Sequence, residues 1–150
     1  LFFNTTNHNS YKSIRDRVMD ISEFLVSFMR KTDFGVEFPH KVSLHSNCRG
    51  LNEYNVEEET KLLLQNVKGL ELTNNNTNRF CCGLGGTFSI HNEPVSTALA
   101  KKKIDAILEE GAEYVVSNDM SCLLHLQSYI DKHKINLKTI HLVDLLMYNK

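Results

Sequence analysis

Four cysteines carry the chemistry that can be read from this chain: Cys48, the adjacent pair Cys81 and Cys82, and Cys122. A disulfide within the pair is geometrically poor. Neighbouring trans residues hold their Cα atoms about 3.8 Å apart, inside the roughly 4.4 Å lower limit of an unstrained bridge. Thiolates are soft ligands that favour iron–sulfur clusters, zinc and copper(I), and four of them can complete a tetrahedral zinc site or hold a four-iron cluster. The long intervals between these cysteines do not match zinc-finger knuckles, whose ligands sit about two to four residues apart on tight turns. Adjacent thiolates can reach different metal atoms of a cluster, whereas a single zinc ion would cramp the backbone between them. Gly83, Gly85 and Gly86 remove side-chain bulk around the pair, so that backbone N–H groups can approach and donate to sulfur. They do not form a nucleotide loop, because neither the GxGxxG spacing nor a following Lys-Ser/Thr pair is present. Alone, they read as a plain turn before a helix.

Two further side chains belong beside the cysteines. His45, three positions before Cys48, can place an imidazole and a thiolate on one ion, or can hydrogen-bond locally at a strand end. Asp119, three positions before Cys122, reads either as a metal ligand or as the N-cap of the helix that follows. Cys122 then falls in the first turn of that helix, where the dipole favours thiolate. Its bland alternative is a small buried core residue. His141 reads as packing at the end of the last strand, and His8, His40, His91, His125 and His133 as surface or loop residues.

The elements that must position these groups alternate. Ile14, Val18, Ile21, Leu25 and Phe28 recur at helical spacing, predicting an amphipathic N-terminal helix of about 20 residues with Phe24 and Met29 widening its apolar stripe. A short strand with Val42 and Leu44 on one side delivers Cys48. A helix over 56–67, opened by three glutamates, leads to a strand near Leu70 and Leu72 and an Asn-rich loop at 74–78, read as mobile. After the glycines come a helix over 93–110 stopped by Gly111, a buried strand around Val115 and Val116, a helix over 120–132, a strand at LKTIHL and a last short helix, VDLLMY. This order predicts one α/β domain with a mostly parallel sheet flanked by helices. Cys48, Cys81-Cys82 and Cys122 each follow a strand, so three strand exits converge on one place.

Composition narrows the partners. A domain of 150 residues buries about 68–70% of its unfolded surface and folds without disulfide staples. The 17 basic and 18 acidic residues are dispersed, with no basic run to follow a nucleic-acid backbone. No apolar run approaches the roughly 20 residues of a transmembrane helix, and no signal-peptide layout opens the chain, which points to a cytoplasmic protein. The missing initiator Met, and a first helix that needs something to pack on, lead us to expect a fragment of a longer protein.

The stretches HSNC, CCGLGGTFSI and SNDMSC resemble the cysteine-rich CCG domain shared by heterodisulfide reductases, glycolate oxidase iron–sulfur subunits and lactate-utilisation iron–sulfur proteins. The resemblance runs from about Lys41 onward and is closest to the second CCG repeat of the lactate-utilisation type. It implies an iron–sulfur cofactor, four-iron by preference, with Cys48, Cys81, Cys82 and Cys122 as ligands and zinc as the alternative. It also implies an N-terminal CCG repeat missing from this chain, and companion subunits of a lactate-utilisation complex in which this part carries electrons. One departure stands out, since Asp119 occupies the place of the first cysteine in the family's final Cys-x-x-Cys. Two other readings stay open: a structural or partner-docking zinc module, and a dithiol redox subunit of the heterodisulfide-reducing kind. No general acid or base pair is visible.

Overall fold

A computed structural model describes residues 8–15, 17–48, 56–74 and 80–148. Its centre is a sheet of four strands, β1 (Lys41–Leu44), β2 (Glu71–Leu72), β3 (Tyr114–Ser117) and β4 (Lys138–His141), in the order β2-β1-β3-β4 with every pair parallel. Parallel strands need crossovers, and the helices that supply them cover both faces. The helices are α1 (His8–Arg15), α2 (Ile21–Glu23), α3 (Glu57–Gln65), α4 (Phe88–His91), α5 (Glu93–Glu109), α6 (Met120–His133) and α7 (Leu142–Leu146).

The pleat divides the core in two. Val42 and Leu44 of β1 and Val116 of β3 pack with Leu63 and Leu64 of α3 and Leu142 and Leu145 of α7. Val115 points the other way, toward Ala100, Ile104 and Ile107 of α5 and Leu123, Leu126 and Ile130 of α6. The α/β architecture expected from the alternating pattern is therefore present.

The N-terminal region differs from the single helix that its spacing predicts. α1 ends at Arg15, and a new start follows at Asp20, whose Oδ1 accepts from the Ser22 backbone N–H at 2.8 Å. An aspartate that can cap a fresh helix competes with continuation of the old one. α2 passes directly into a π-helical turn, Phe24–Phe28, closed by Met29 N–H donating to the Phe24 carbonyl at 2.8 Å. The apolar stripe is shortened accordingly. Ile21, Leu25 and Val26 pack on the core, while Ile14, Val18, Phe28 and Met29 are exposed. Polar groups tie this segment to the sheet edge: Ser22 Oγ and Thr60 Oγ1 lie 2.8 Å apart, and Asn118 Nδ2 donates to Asp20 Oδ1 at 2.9 Å. The Asn-rich loop falls largely outside the described residues.

Candidate metal centre

In a parallel sheet of this order the chain leaves β1 toward one edge and β3 toward the other, opening a crevice at the strands' carboxyl ends. His45 sits at the buried base of that crevice. Its backbone N–H donates to the Val116 carbonyl at 2.8 Å, extending the β1–β3 ladder by one residue and fixing the imidazole beneath the strand exits. From β3 the chain passes through Asp119 into α6, which brings Cys122 to the same crevice. The loop before α4 brings Cys81 and Cys82.

A cavity of about 320 Å³ results, lined by Cys48, Cys81, Cys82 and Cys122 with Leu84, Gly85, Gly86, Asp119 and Ser121. All four cysteines are free thiols. They divide by depth. Cys48 and Cys81 are exposed at the mouth, whereas Cys82 and Cys122 are buried, and Cys82 is only 2% exposed. The adjacent cysteines thus present one sulfur outward and one inward.

The inner sulfurs meet His45. The ligand atoms of His45, Cys82 and Cys122 all lie within 4.8 Å of one another, a grouping able to hold a metal ion. His45 is 1% exposed, and both ring nitrogens are buried with no hydrogen-bond partner. Buried polar atoms without partners are costly and uncommon. A donor set of one imidazole and two thiolates suits zinc and related soft or borderline ions. The residues present therefore fit a bound metal on their chemistry alone.

Charge in this pocket is unevenly held. The Cys122 thiol donating to Cys82, against the cost of burial and helped by attraction to His45, holds the Cys82 thiol down to about 4. The same hydrogen bond, with burial and the neighbouring thiolate, pushes Cys122 upward. One proton is shared by the pair and Cys82 loses it first. The helix dipole expected to favour a Cys122 thiolate is thus outweighed by a closer negative charge. Burial, followed by Cys81, raises Cys48. Burial also lowers His45, outweighing the upward pull of the adjacent Cys82.

The loop conformation depends on Gly83, which has φ +98°, and a Cβ there would lie 2.6 Å from the Ser96 carbonyl oxygen. Its N–H donates to Cys81 Sγ at 3.3 Å, the backbone-to-sulfur contact that the glycine run predicts. The Leu84 N–H does the same for Cys82. Gly85 and Gly86 line the cavity and take positive φ.

A cysteine-rich domain model of the CCG type matches residues 42–127. The chain belongs to the CCG cysteine-rich domain family. It is 31% identical over 135 residues to lactate utilization protein A of Bacillus cereus (strain B4264), covering 90% of this chain and 56% of that protein. The same figures hold for lactate utilization protein A of Bacillus thuringiensis (strain Al Hakam) and lactate utilization protein A 1 of Bacillus anthracis (strain A0248). The chain spans just over half the length of these relatives.

Within this CCG domain, Asp119 is the N-cap of α6, its Oδ1 accepting from the N–H groups of Ser121 at 2.9 Å and Cys122 at 3.2 Å. Against the cost of burial, these bonds and the Ser121 hydroxyl hold its carboxyl below the usual range. It lines the cavity but stands outside the His45–Cys82–Cys122 group. Three contributors, Ser96, His125 and Lys103, escape a reading of the sequence alone. Ser96 Oγ donates to the Gly83 carbonyl at 2.8 Å and lies 3.3 Å from His125 Nε2, so His125 braces the loop from α6 instead of sitting idle at the surface. Lys103 is completely buried on α5 and feels all four cysteines. His40 also has a partner, Glu113 at 2.8 Å, and His133 stacks on Tyr129. His141 caps α7, its Nδ1 accepting from the Val143 N–H at 3.3 Å. Among the described residues no helix is long and apolar enough to cross a membrane.

Proposed function

We propose that this chain is the cluster-bearing, electron-carrying part of a cytoplasmic lactate-utilisation protein, its 150 residues forming one CCG domain of a longer chain. The observation that carries the reading is the cavity lined by four free thiols from three strand exits, whose two inner sulfurs group with a buried imidazole that has no hydrogen-bond partner. Membership of the CCG family and the name of the 31%-identical relatives support the lactate connection. By that connection the whole protein works with companion subunits that oxidise lactate.

Cys48, Cys81, Cys82 and Cys122 would hold a four-iron cluster, which supplies reversible one-electron chemistry when bound. His45 closes the inner wall beside them. The Gly83 and Leu84 N–H groups donate to sulfur and spread its negative charge. Leu84 and the close-packed α5–α6 face exclude water from the inner side, while Cys48 and Cys81 leave an exposed mouth for electron entry.

A second reading, a single zinc ion on the inner trio, is favoured by the 4.8 Å grouping of His45, Cys82 and Cys122. Dithiol chemistry fits less well, because the low-pKa sulfur belongs to buried Cys82 while the exposed Cys48 thiol is raised. Metal and sulfide analysis with absorbance and EPR spectra, on protein reconstituted without oxygen, separates these readings. Iron and sulfide near stoichiometry, lost in both Cys48→Ser and Cys81→Ser, is the expected result. Zinc retained by those two variants but lost in Cys82→Ser would establish the inner-trio reading instead. Absence of any metal after reconstitution would sink both.

A further inference from the structure

The run Lys101, Lys102, Lys103 reads as a solvated charge cluster, yet its members have different surroundings. Lys101 is exposed and pairs with Asp105 one turn on. Lys103 falls on the stripe that α5 buries, with Ala100, Ile104 and Ile107, and is 0% exposed. Its stem therefore does not carry the ammonium out to water. The ammonium lies 4.9 Å from the centroid of the Phe80 ring, and Phe80 immediately precedes Cys81. Ala100, Ile104 and Ile107 on the same stripe pack with Cys82 and Cys122. Burial pulls the Lys103 ammonium down to about 8, and Cys82 is the cysteine that most favours its protonated form against that pull.

A buried ammonium is expensive unless an opposite charge compensates it. The cysteine cluster is such a charge. A four-iron cluster held by four thiolates carries about two net negative charges, more than the empty site with its one low-pKa thiol, Cys82, so a cation fixed behind it in a low-dielectric wall stabilises the cluster-loaded state over the empty one. We propose that Lys103 is a positioning residue of the metal centre, a fixed positive charge that offsets the thiolates and strengthens cluster loading. The inference rests on the metal-binding reading above and adds a residue that does not itself ligate.

The test compares wild type, Lys103→Met and Lys103→Arg of this chain. Zinc(II) affinity is read by competition with a chromogenic chelator, iron and sulfide uptake is read after anaerobic reconstitution, and melting is read on the metal-free proteins. Methionine keeps the volume and removes the charge. Iron and sulfide uptake by Lys103→Met should fall about threefold or more, and Lys103→Arg should recover much of the loss. Zinc affinity should not fall with it, because zinc on one imidazole and two thiolates is neutral. Metal-free Lys103→Met should melt lower than wild type, since Cys82 loses a buried counter-charge, and the melting curve shows that the variant is folded. A purely structural lysine would instead lower iron uptake and zinc affinity together, without recovery by arginine, and that outcome overturns the proposal. So does iron uptake unchanged in Lys103→Met. Wild type that loads no iron and sulfide would refute the cluster reading itself, and the inference with it.

Discussion

His45 shows how much a single buried group can report. Burial holds its pKa below the ordinary 6.5, so the folded chain takes up that proton less readily than the unfolded chain. The stability associated with the neutral ring is complete above pH 6.5 and is lost as pH falls toward the folded-state value. Metal-free wild type should therefore lose stability from about pH 6.5 downward more steeply than His45→Phe, by at most about 1.4 kcal/mol per pH unit. Parallel melting curves for the two proteins across that range would contradict this. Gly83 makes a second residue-level case. Its backbone angle and the 2.6 Å approach of the Ser96 carbonyl leave no room for a methyl group. Gly83→Ala should cost about 2 kcal/mol or more in denaturant unfolding. Gly86→Ala has open space and is penalised only for its positive φ, by about 1 kcal/mol. Equal costs would mean that the contact with Ser96 does not matter.

At the scale of elements, α6 separates the two roles that Asp119 can play. As an N-cap it accepts from two backbone N–H groups through Oδ1, which an asparagine side-chain oxygen can also do. Asp119→Asn should thus retain most of the helix stability and load metal normally, while Asp119→Ala should lose about 1 kcal/mol. Metal loading lost in the asparagine variant, with stability kept, would make the carboxylate a ligand. The parts of the fold legible in the sequence are those with strong local signals. Val42 and Leu44, Val115 and Val116, and the Gly111 stop place their elements to within a few residues. The convergence of Cys48, Cys81-Cys82 and Cys122 follows from parallel topology. What is not legible depends on tertiary partners. The break at Asp20 is held by Asn118, nearly a hundred residues away, and α4 is a single short turn. Ser96 and His125 find each other only once α5 and α6 pack. Lys103 is hidden by its lysine neighbours, although its position three after Ala100 and four before Ile107 sets it on the buried stripe.

Across the whole molecule, the centre joins segments that the sheet alone connects weakly. His45 and Cys48 follow β1, Cys81 and Cys82 precede α4, and Cys122 opens α6, so one bound ion or cluster would cross-link loops far apart in sequence. Anything that binds the folded state and not the unfolded one stabilises it by mass action, about 4 kcal/mol at a thousandfold excess over Kd. For a domain of this size that corresponds to a rise of roughly 8–16 °C in Tm. Metal-loaded protein should melt higher than chelator-stripped protein by that order. The gain should also be local. Hydrogen exchange ought to slow at residues 45–48, 80–86 and 119–123, while β4 and α7, whose residues do not line the cavity, change little. A uniform slowing would point to a general increase in stability, and no rise in Tm on loading would show that these sulfurs do not converge on a common ion.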